Sequence, residues 1–308
     1  MRPTLIPFPL SLPLRALAAA GTGSLLLGAC SAPTSPADRT AAELRARVPQ
    51  PVRAAGVLRI ASDLNYPPVD FRTPEAPWAG LDPDLAAAIG NYLGLKIEFV
   101  NMPFDQVIPS VQQKKIDLAM SAVIDTRRRQ EGTDDNHQQV DPGVDFIDYF
   151  MTGTSILVRN GNPLGISSLD SLCGRTVAVQ RGTIQAEVGR RQINACLKVD
   201  KPMKLHELET DALAQAEVSA GTAAADLNDY PVAVYNTAPE RGGRFAMVGA
   251  YGQSSPYGIT LNRRDTELRD VLAHTLDQLI RNGDYDRILT KWGVQRGAVT
   301  SAVVNGGL

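Results

Sequence analysis

The 308-residue chain sets 31 Lys and Arg against 33 Asp and Glu, with 44% hydrophobic and 6% aromatic residues. That near-balance supplies no basic excess for a phosphate backbone, so nucleic-acid binding is not expected. Length and apolar content suffice for one large domain or two smaller ones, each with its own core.

Arg2 and Arg15 are the only charges before Cys30, and residues 16–27 form an apolar run of signal-peptide length. The run is too short to span a bilayer. Leu27-Gly28-Ala29-Cys30 resembles the bacterial lipobox, in which the peptide is cut before a cysteine that becomes diacylated. An ordinary secretory signal ending near a cysteine is the alternative, and either exports the chain. On the first reading, residues 1–29 are removed and lipid on Cys30 holds the protein to the outer face of the cytoplasmic membrane. The remaining chain carries 29 basic and 33 acidic residues, a net charge of −4. Residues 30–55 contain Pro33, Pro36, Pro49 and Pro51 and read as a Pro-rich tether.

Residues 57–62 predict a strand, which the loop Asp63-Leu64-Asn65-Tyr66-Pro67-Pro68 cannot continue because proline offers no ladder donor. Asp82 stands where it can cap a helix beginning at Pro83. Leu85, Ala88, Ile89, Tyr92 and Leu93 recur there at helical spacing, and Gly94 stops the run. A strand over 96–100, a helix over 106–114 and a strand over 116–121 follow. This alternation predicts a largely parallel sheet.

The last of these strands turns polar at Ser121 and leads through Thr126 to Arg127, Arg128 and Arg129. Ligands collect outside the carboxyl ends of strands in such sheets, and a guanidinium beside a hydroxyl forms a carboxylate trap. A solvated basic turn is the other reading. Residues 130–143 gather Asp134, Asp135, His137 and Asp141 without calcium-loop spacing or a second histidine. A solvated loop is expected there, and no metal or cofactor is called for anywhere in the chain.

A second group repeats the alternation: strand 176–180, helix 183–194, strand 203–207, helix 211–220 and strand 223–227. Cys173 and Cys196 flank its opening elements. With Cys30 used for lipid they are an even pair in an oxidising compartment, which points to a disulfide, two buried thiols being the alternative. Gly182-Thr183-Ile184-Gln185 places unpaired backbone N–H groups at a helix start, suited to an anionic group or simply to a cap. Asp229 offers a carboxylate at another strand end, or again a cap. A strand at 257–260 and a long amphipathic helix through Leu268, Val271, Leu272, Leu276, Leu279 and Ile280 come next. A short helix ends near Trp292, and residues 297–308 trail off.

With these pieces in place, residues 56–308 resemble the bacterial extracellular solute-binding proteins of family 3, receptors of polar amino-acid ABC transporters. The likeness is carried by Gly80-Leu81-Asp82-Pro83-Asp84-Leu85-Ala86-Ala87-Ala88-Ile89, by Ser121 with Thr126 and Arg129, by Gly182-Thr183-Ile184-Gln185, by Asp229 with Pro231 and Val232, and by Pro256-Tyr257-Gly258-Ile259. Pro83 replaces the usual aliphatic residue, Ile124 stands where Ser or Thr is common, and the 130–143 loop is longer than usual.

The resemblance implies an α/β, type II periplasmic-binding-protein-like fold of two lobes, each a mostly parallel sheet with flanking helices. Lobe I would comprise residues 56–151 and 254–308 and lobe II residues 152–253. Two crossing hinge segments would lie near 151–153 and 250–253. An amino acid would lie between the lobes, its carboxylate on Arg129 with help from Thr183 and its ammonium on Asp229. Tyr66 and Phe104 would wall its side chain, with Asp63, Ser121, Val123 and Gln185 completing the set. Asp63 suits a basic side chain but equally organises its own loop, so arginine-like and glutamine-like ligands stand level. The implied protein is a monomeric, non-enzymatic receptor serving a membrane permease. Two alternatives share the fold: a ligand sensor, and a secreted cyclohexadienyl or arogenate dehydratase, which would need Asp63 or Glu75 as general acid.

Overall fold

The apolar stretches 57–62 and 176–180 each lie inside a sheet of their own, and the computed structural model, which describes residues 36–134, 136–248 and 254–308, is organised around these two sheets. Helices α1 (Pro36–Arg47) and α2 (Gln50–Ala55) lead into β1 (Val57–Ser62). Next come β2 (Asn65–Tyr66), β3 (Asp70–Phe71), α3 (Leu81–Leu93), β4 (Lys96–Asn101), α4 (Phe104–Gln112), β5 (Leu118–Ala119), α5 (Arg127–Glu131) and β6 (Asp145–Thr152). Gly153 alone separates β6 from β7 (Thr154–Arg159), with which the chain enters the second sheet. That lobe adds β8 (Thr176–Gln180), α6 (Ile184–Leu197), β9 (Lys204–Leu208), α7 (Asp211–Ala220), β10 (Ala225–Asp229), α8 (Tyr230–Thr237) and β11 (Phe245–Val248). The chain returns to the first lobe in β12 (Ser255–Leu261), α9 (Thr266–Arg281), α10 (Asp284–Trp292) and β13 (Val303–Val304).

The strand order is β13-β6-β12-β5-β1-β4 in the first lobe and β11-β7-β10-β8-β9 in the second. β1 runs parallel to β4 and β5, and β8 parallel to β9 and β10. The expectation of mostly parallel sheets is corrected at the other positions. β12 runs antiparallel to β5 and β6, as does β13 to β6, and β7 runs antiparallel to β10 and β11. These are the strands that leave or re-enter a lobe, so they run back against the βα units.

The first core joins Leu85, Ile89 and Leu93 of α3 to Leu268, Leu272, Leu276 and Leu279 of α9, the apolar faces that helical spacing marks out. Ile156, Val177, Val179 and Leu227 centre the second core, which also contains Cys196 in a disulfide with Cys173.

Three local readings change. The tether is helical from Pro36: Leu44 in α1 and Val48 just past its end are buried in the first core, and Arg45 Nε donates to the Tyr92 carbonyl at 2.8 Å. Asp82 is no cap, because α3 starts at Leu81, two residues before Pro83, behind Gly80. Gly80 has φ 130, and a Cβ there would meet the Val69 carbonyl oxygen at 2.2 Å, so the turn requires glycine. Residues 297–308 do not simply trail off, since β13 pairs with β6. Cys30, Asp135 and the crossing expected at 250–253 lie outside the described residues.

Candidate functional site

A narrow cavity lies where the carboxyl ends of β1 and β5 face the carboxyl ends of β8 and β10 across the two lobes. In the first lobe the turn after β5 is set from beneath. Ala122 sits at φ 52, in the left-handed region, and its N–H donates to buried Asp82 Oδ2 at 3.0 Å while Tyr149 Oη donates to Asp82 Oδ1 at 2.5 Å. Burial pushes the Asp82 carboxyl up to about 7. Ser121 Oγ accepts from the Asp63 N–H at 2.9 Å and donates to Asp70 Oδ2 at 2.8 Å, an oxygen that Ser62 Oγ also reaches at 2.6 Å. The Ser121 proton is therefore committed to Asp70, and Ser121 holds the cavity wall in shape.

Thr126 caps α5 by accepting from the Arg129 N–H at 3.3 Å. The Arg129 side chain crosses the cleft: Nη1 donates to the Ile124 carbonyl at 2.8 Å and Nη2 to the Gly182 carbonyl of the second lobe at 3.0 Å. The guanidinium stands 6.0 Å from the centre of the Phe104 ring, within cation–π range. Desolvation lowers its pKa, opposed by Glu187, Asp229 and Asp125. An arginine starting so high keeps its charge.

In the second lobe Thr183 Oγ1 accepts from the Ala186 N–H at 3.1 Å and donates to the Gln180 carbonyl at 2.7 Å, which caps α6 and leaves its first turn on the cavity. Asp229 precedes α8 but makes no side-chain cap. Its Oδ1 accepts from Gln185 Nε2 at 2.8 Å and its Oδ2 from Tyr66 Oη at 2.9 Å. Burial pushes this carboxyl up to about 7. Asp63 is likewise raised by burial, its two oxygens accepting from Asn65 Nδ2 and Gln180 Nε2, each at 2.6 Å.

The cavity thus brings together Asp63, Tyr66, Phe104, Ser121, Arg129, Thr183, Gln185 and Asp229. Val123 is not on it. The left-handed Ala122 reverses the side-chain alternation, and Val123 is fully buried with Val107 and Val111 beneath the wall. Glu75 stands exposed in a turn, off the cavity. Ala122, Ile124, Ile184 and Gln180 also line the space. Gln180 ends β8, so the strand-end rule that picked out Ser121 would have found it. Two ion pairs close the rim between lobes, Arg128 Nη1 with Glu187 Oε2 and Arg181 Nε with Asp105 Oδ2, each at 2.8 Å. A fixed cation from one lobe and a buried carboxylate from the other, in a water-poor cleft, form a holder for a zwitterion.

Among the described residues, no three His, Cys, Asp or Glu side chains form a group able to hold a metal ion, and no helix is long and apolar enough to cross a membrane.

The family model for bacterial extracellular solute-binding proteins, family 3, matches residues 58–295. An arginine-binding protein of Corynebacterium glutamicum is 29% identical over 266 residues, covering 85% of this chain and 83% of its own length. An ancestral arginine-binding protein, solved with arginine and with glutamine, superposes with TM-score 0.68 at 30% identity in both forms. The arginine-bound form covers 77% of this chain and 98% of its own, and the glutamine-bound form 78% and 98%. An ancestral amino acid-binding protein described as a precursor of cyclohexadienyl dehydratase superposes with TM-score 0.67 at 30% identity, covering 79% and 97%.

Proposed function

The chain belongs to the bacterial extracellular solute-binding proteins of family 3, and on that premise we propose that it captures one polar α-amino acid between its lobes and delivers it to the permease of an ABC importer. The observation that carries this reading is the presentation of Arg129 and Asp229 to one cavity from opposite lobes. Arg129 takes the carboxylate, with the first turn of α6 at Thr183 beside it, and Asp229 takes the ammonium. Tyr66 and Phe104 wall the side chain, whose far end lies toward Asp63 and Gln180. The arginine- and glutamine-bound relatives support a long polar or cationic side chain. Because ligand binding to the folded state stabilises it by RT ln(1 + [L]/Kd), a thermal-shift screen of the twenty amino acids with ornithine, citrulline and cystine identifies the ligand. A screen in which none shifts the melting temperature sinks the reading.

We further propose that lobe I spans residues 56–151 and 254–308, that lobe II spans residues 152–253, and that they close about Gly153 and the 250–253 crossing. The protein works as a monomer outside the cytoplasmic membrane, anchored through lipid on Cys30, and it is a binder, not an enzyme. The names of its relatives as binding proteins support that choice. The dehydratase alternative is kept by the ancestral precursor and rests on Asp63 alone, since Glu75 is off the cavity. Turnover of prephenate or arogenate by the purified protein would establish it.

A further inference from the structure

The family match ends at residue 295, yet the residues after it are built against the base of α5, the short helix that carries Arg129. β13 lies along β6, and Asn305 locks the register: its N–H donates to the Phe146 carbonyl at 3.1 Å and its Oδ1 accepts from the Phe146 N–H at 2.8 Å. The chain then crosses to α5. The Gly306 N–H donates to Asp148 Oδ2 at 3.1 Å and the Gly307 N–H to Asp125 Oδ2 at 2.8 Å. Gln130 Nε2 donates to both Asp125 Oδ1, at 2.8 Å, and the Gly307 carbonyl, at 3.2 Å. The Arg127 N–H reaches the Leu308 carbonyl at 3.4 Å.

Partners at 125, 127 and 130 bracket Arg129 on both sides. At Gly307 the approach is too close for any larger residue, since a Cβ would meet the Asp125 carbonyl oxygen at 2.3 Å, and a Cβ on Gly306 would press on Asp148 Oδ2 at 2.6 Å.

We propose that residues 303–308 are a positioning element for Arg129, a clasp that fixes both ends of α5 through the Gly306 and Gly307 N–H groups on Asp148 and Asp125 and through the Gly307 and Leu308 carbonyls on Gln130 and Arg127. Both carboxyls are buried, and desolvation lifts each, Asp148 to about 8 with the neighbouring Asp125 adding to the rise, while the clasp N–H groups act in the opposite sense. The charged neighbour facing Asp125 is Arg129, while Asp145, three residues along β6 from Asp148, is engaged by Arg269 at 2.7 Å.

The effect on affinity rests on the function proposed above, but the clasp does not, so the test reads both. In the full chain, a variant ending at Asn305 and the variant Gly307→Ala are compared with wild type by hydrogen–deuterium exchange of residues 125–131 at pH 7. They are also compared by calorimetry with the amino acid found in the screen. The shortened chain loses four hydrogen bonds, which should speed exchange and weaken binding, each by about tenfold. Asp148→Asn keeps an acceptor for Gly306 and should restore most of the exchange protection and affinity that Asp148→Ala loses, a rescue that ties both readouts to this contact. Exchange and affinity both unchanged in the shortened chain would overturn the proposal, as would faster exchange with unchanged affinity. Faster exchange in a protein whose wild type binds no amino acid would uphold the clasp and overturn the receptor reading instead.

Discussion

Tyr66 Oη donates to Asp229 Oδ2 at 2.9 Å and accepts from the Asp229 N–H at 3.0 Å, so one hydroxyl of the first lobe grips both the side chain and the main chain of one residue in the second. Tyr66→Phe removes both bonds and leaves buried polar groups unpaired, which costs about 1–3 kcal/mol. If closure and binding are coupled, affinity should fall roughly five- to 150-fold, with little change in the fold. Calorimetry beside circular dichroism checks this, and a loss below twofold would uncouple this contact from binding.

Arg129→Ala and Asp229→Ala each remove one partner of a desolvated zwitterion. Such losses run at roughly 2–5 kcal/mol, so binding should weaken about thirtyfold or far more. Arg129→Lys should recover part of the loss only, because an ammonium lacks the fork that also spans the Ile124 and Gly182 carbonyls. Arg181→Ala is the control. Its ion pair with Asp105 is exposed, and the effect should stay below about fivefold and shrink with salt.

Ligand affinity should depend on pH through Asp229. Burial raises its carboxyl to about 7, so below that pH it is mostly protonated, whereas an ammonium requires the carboxylate. Binding then expels a proton. Affinity should be level just above about pH 7 and decline on acidification, approaching tenfold per unit at the steepest. Titrations from pH 5 to 8 read this directly, and Asp229→Asn should bind weakly with a flat profile.

The Cys173–Cys196 bond closes a loop with a sequence separation of 23. On the chain-entropy estimate such a loop contributes about 3 kcal/mol, so reduction or Cys173→Ser with Cys196→Ser should lower the melting temperature by several degrees. Differential scanning calorimetry with and without reductant measures it.

Cys30→Ala should free the protein from the membrane fraction. Recovery of the variant in membranes at the wild-type level would refute the proposed anchor.

Much of the fold was legible because its signals are local. Strands 57–62 and 176–180 and helix 211–220 form as predicted, the helix closed by Thr210 at one end and by Gly221 in the left-handed region at the other. The strand predicted over 116–121 shrinks to Leu118–Ala119 because Asp117 Oδ2, a side chain, accepts from the Arg59 N–H at 2.7 Å. Val123 was misplaced because one left-handed residue changes which face the next side chain takes, and no composition signal marks Ala122 for that role. Charged Arg129 and Asp229 stand out in the sequence, whereas neutral Gln180 is marked only by its place at the end of β8 and pairs with Asp63 across the cleft. The prolines of residues 30–55 suggest a tether, yet Leu44 packs inward from the last turn of α1 and Val48 from just beyond its end.

The burial of Leu44 and Val48 bears on how the molecule would sit in the cell. α1 begins at Pro36 and packs on α3 and α9, so Cys30 stands six positions before the first helical residue, a span of at most about 20 Å. A lipid at Cys30 would then moor the receptor by one flank of its first lobe, like a boat on a short painter. It would pivot over a small disc of membrane instead of roaming above it, with one flank always nearest the bilayer. Docking on a permease would become a matter of rotation more than of search.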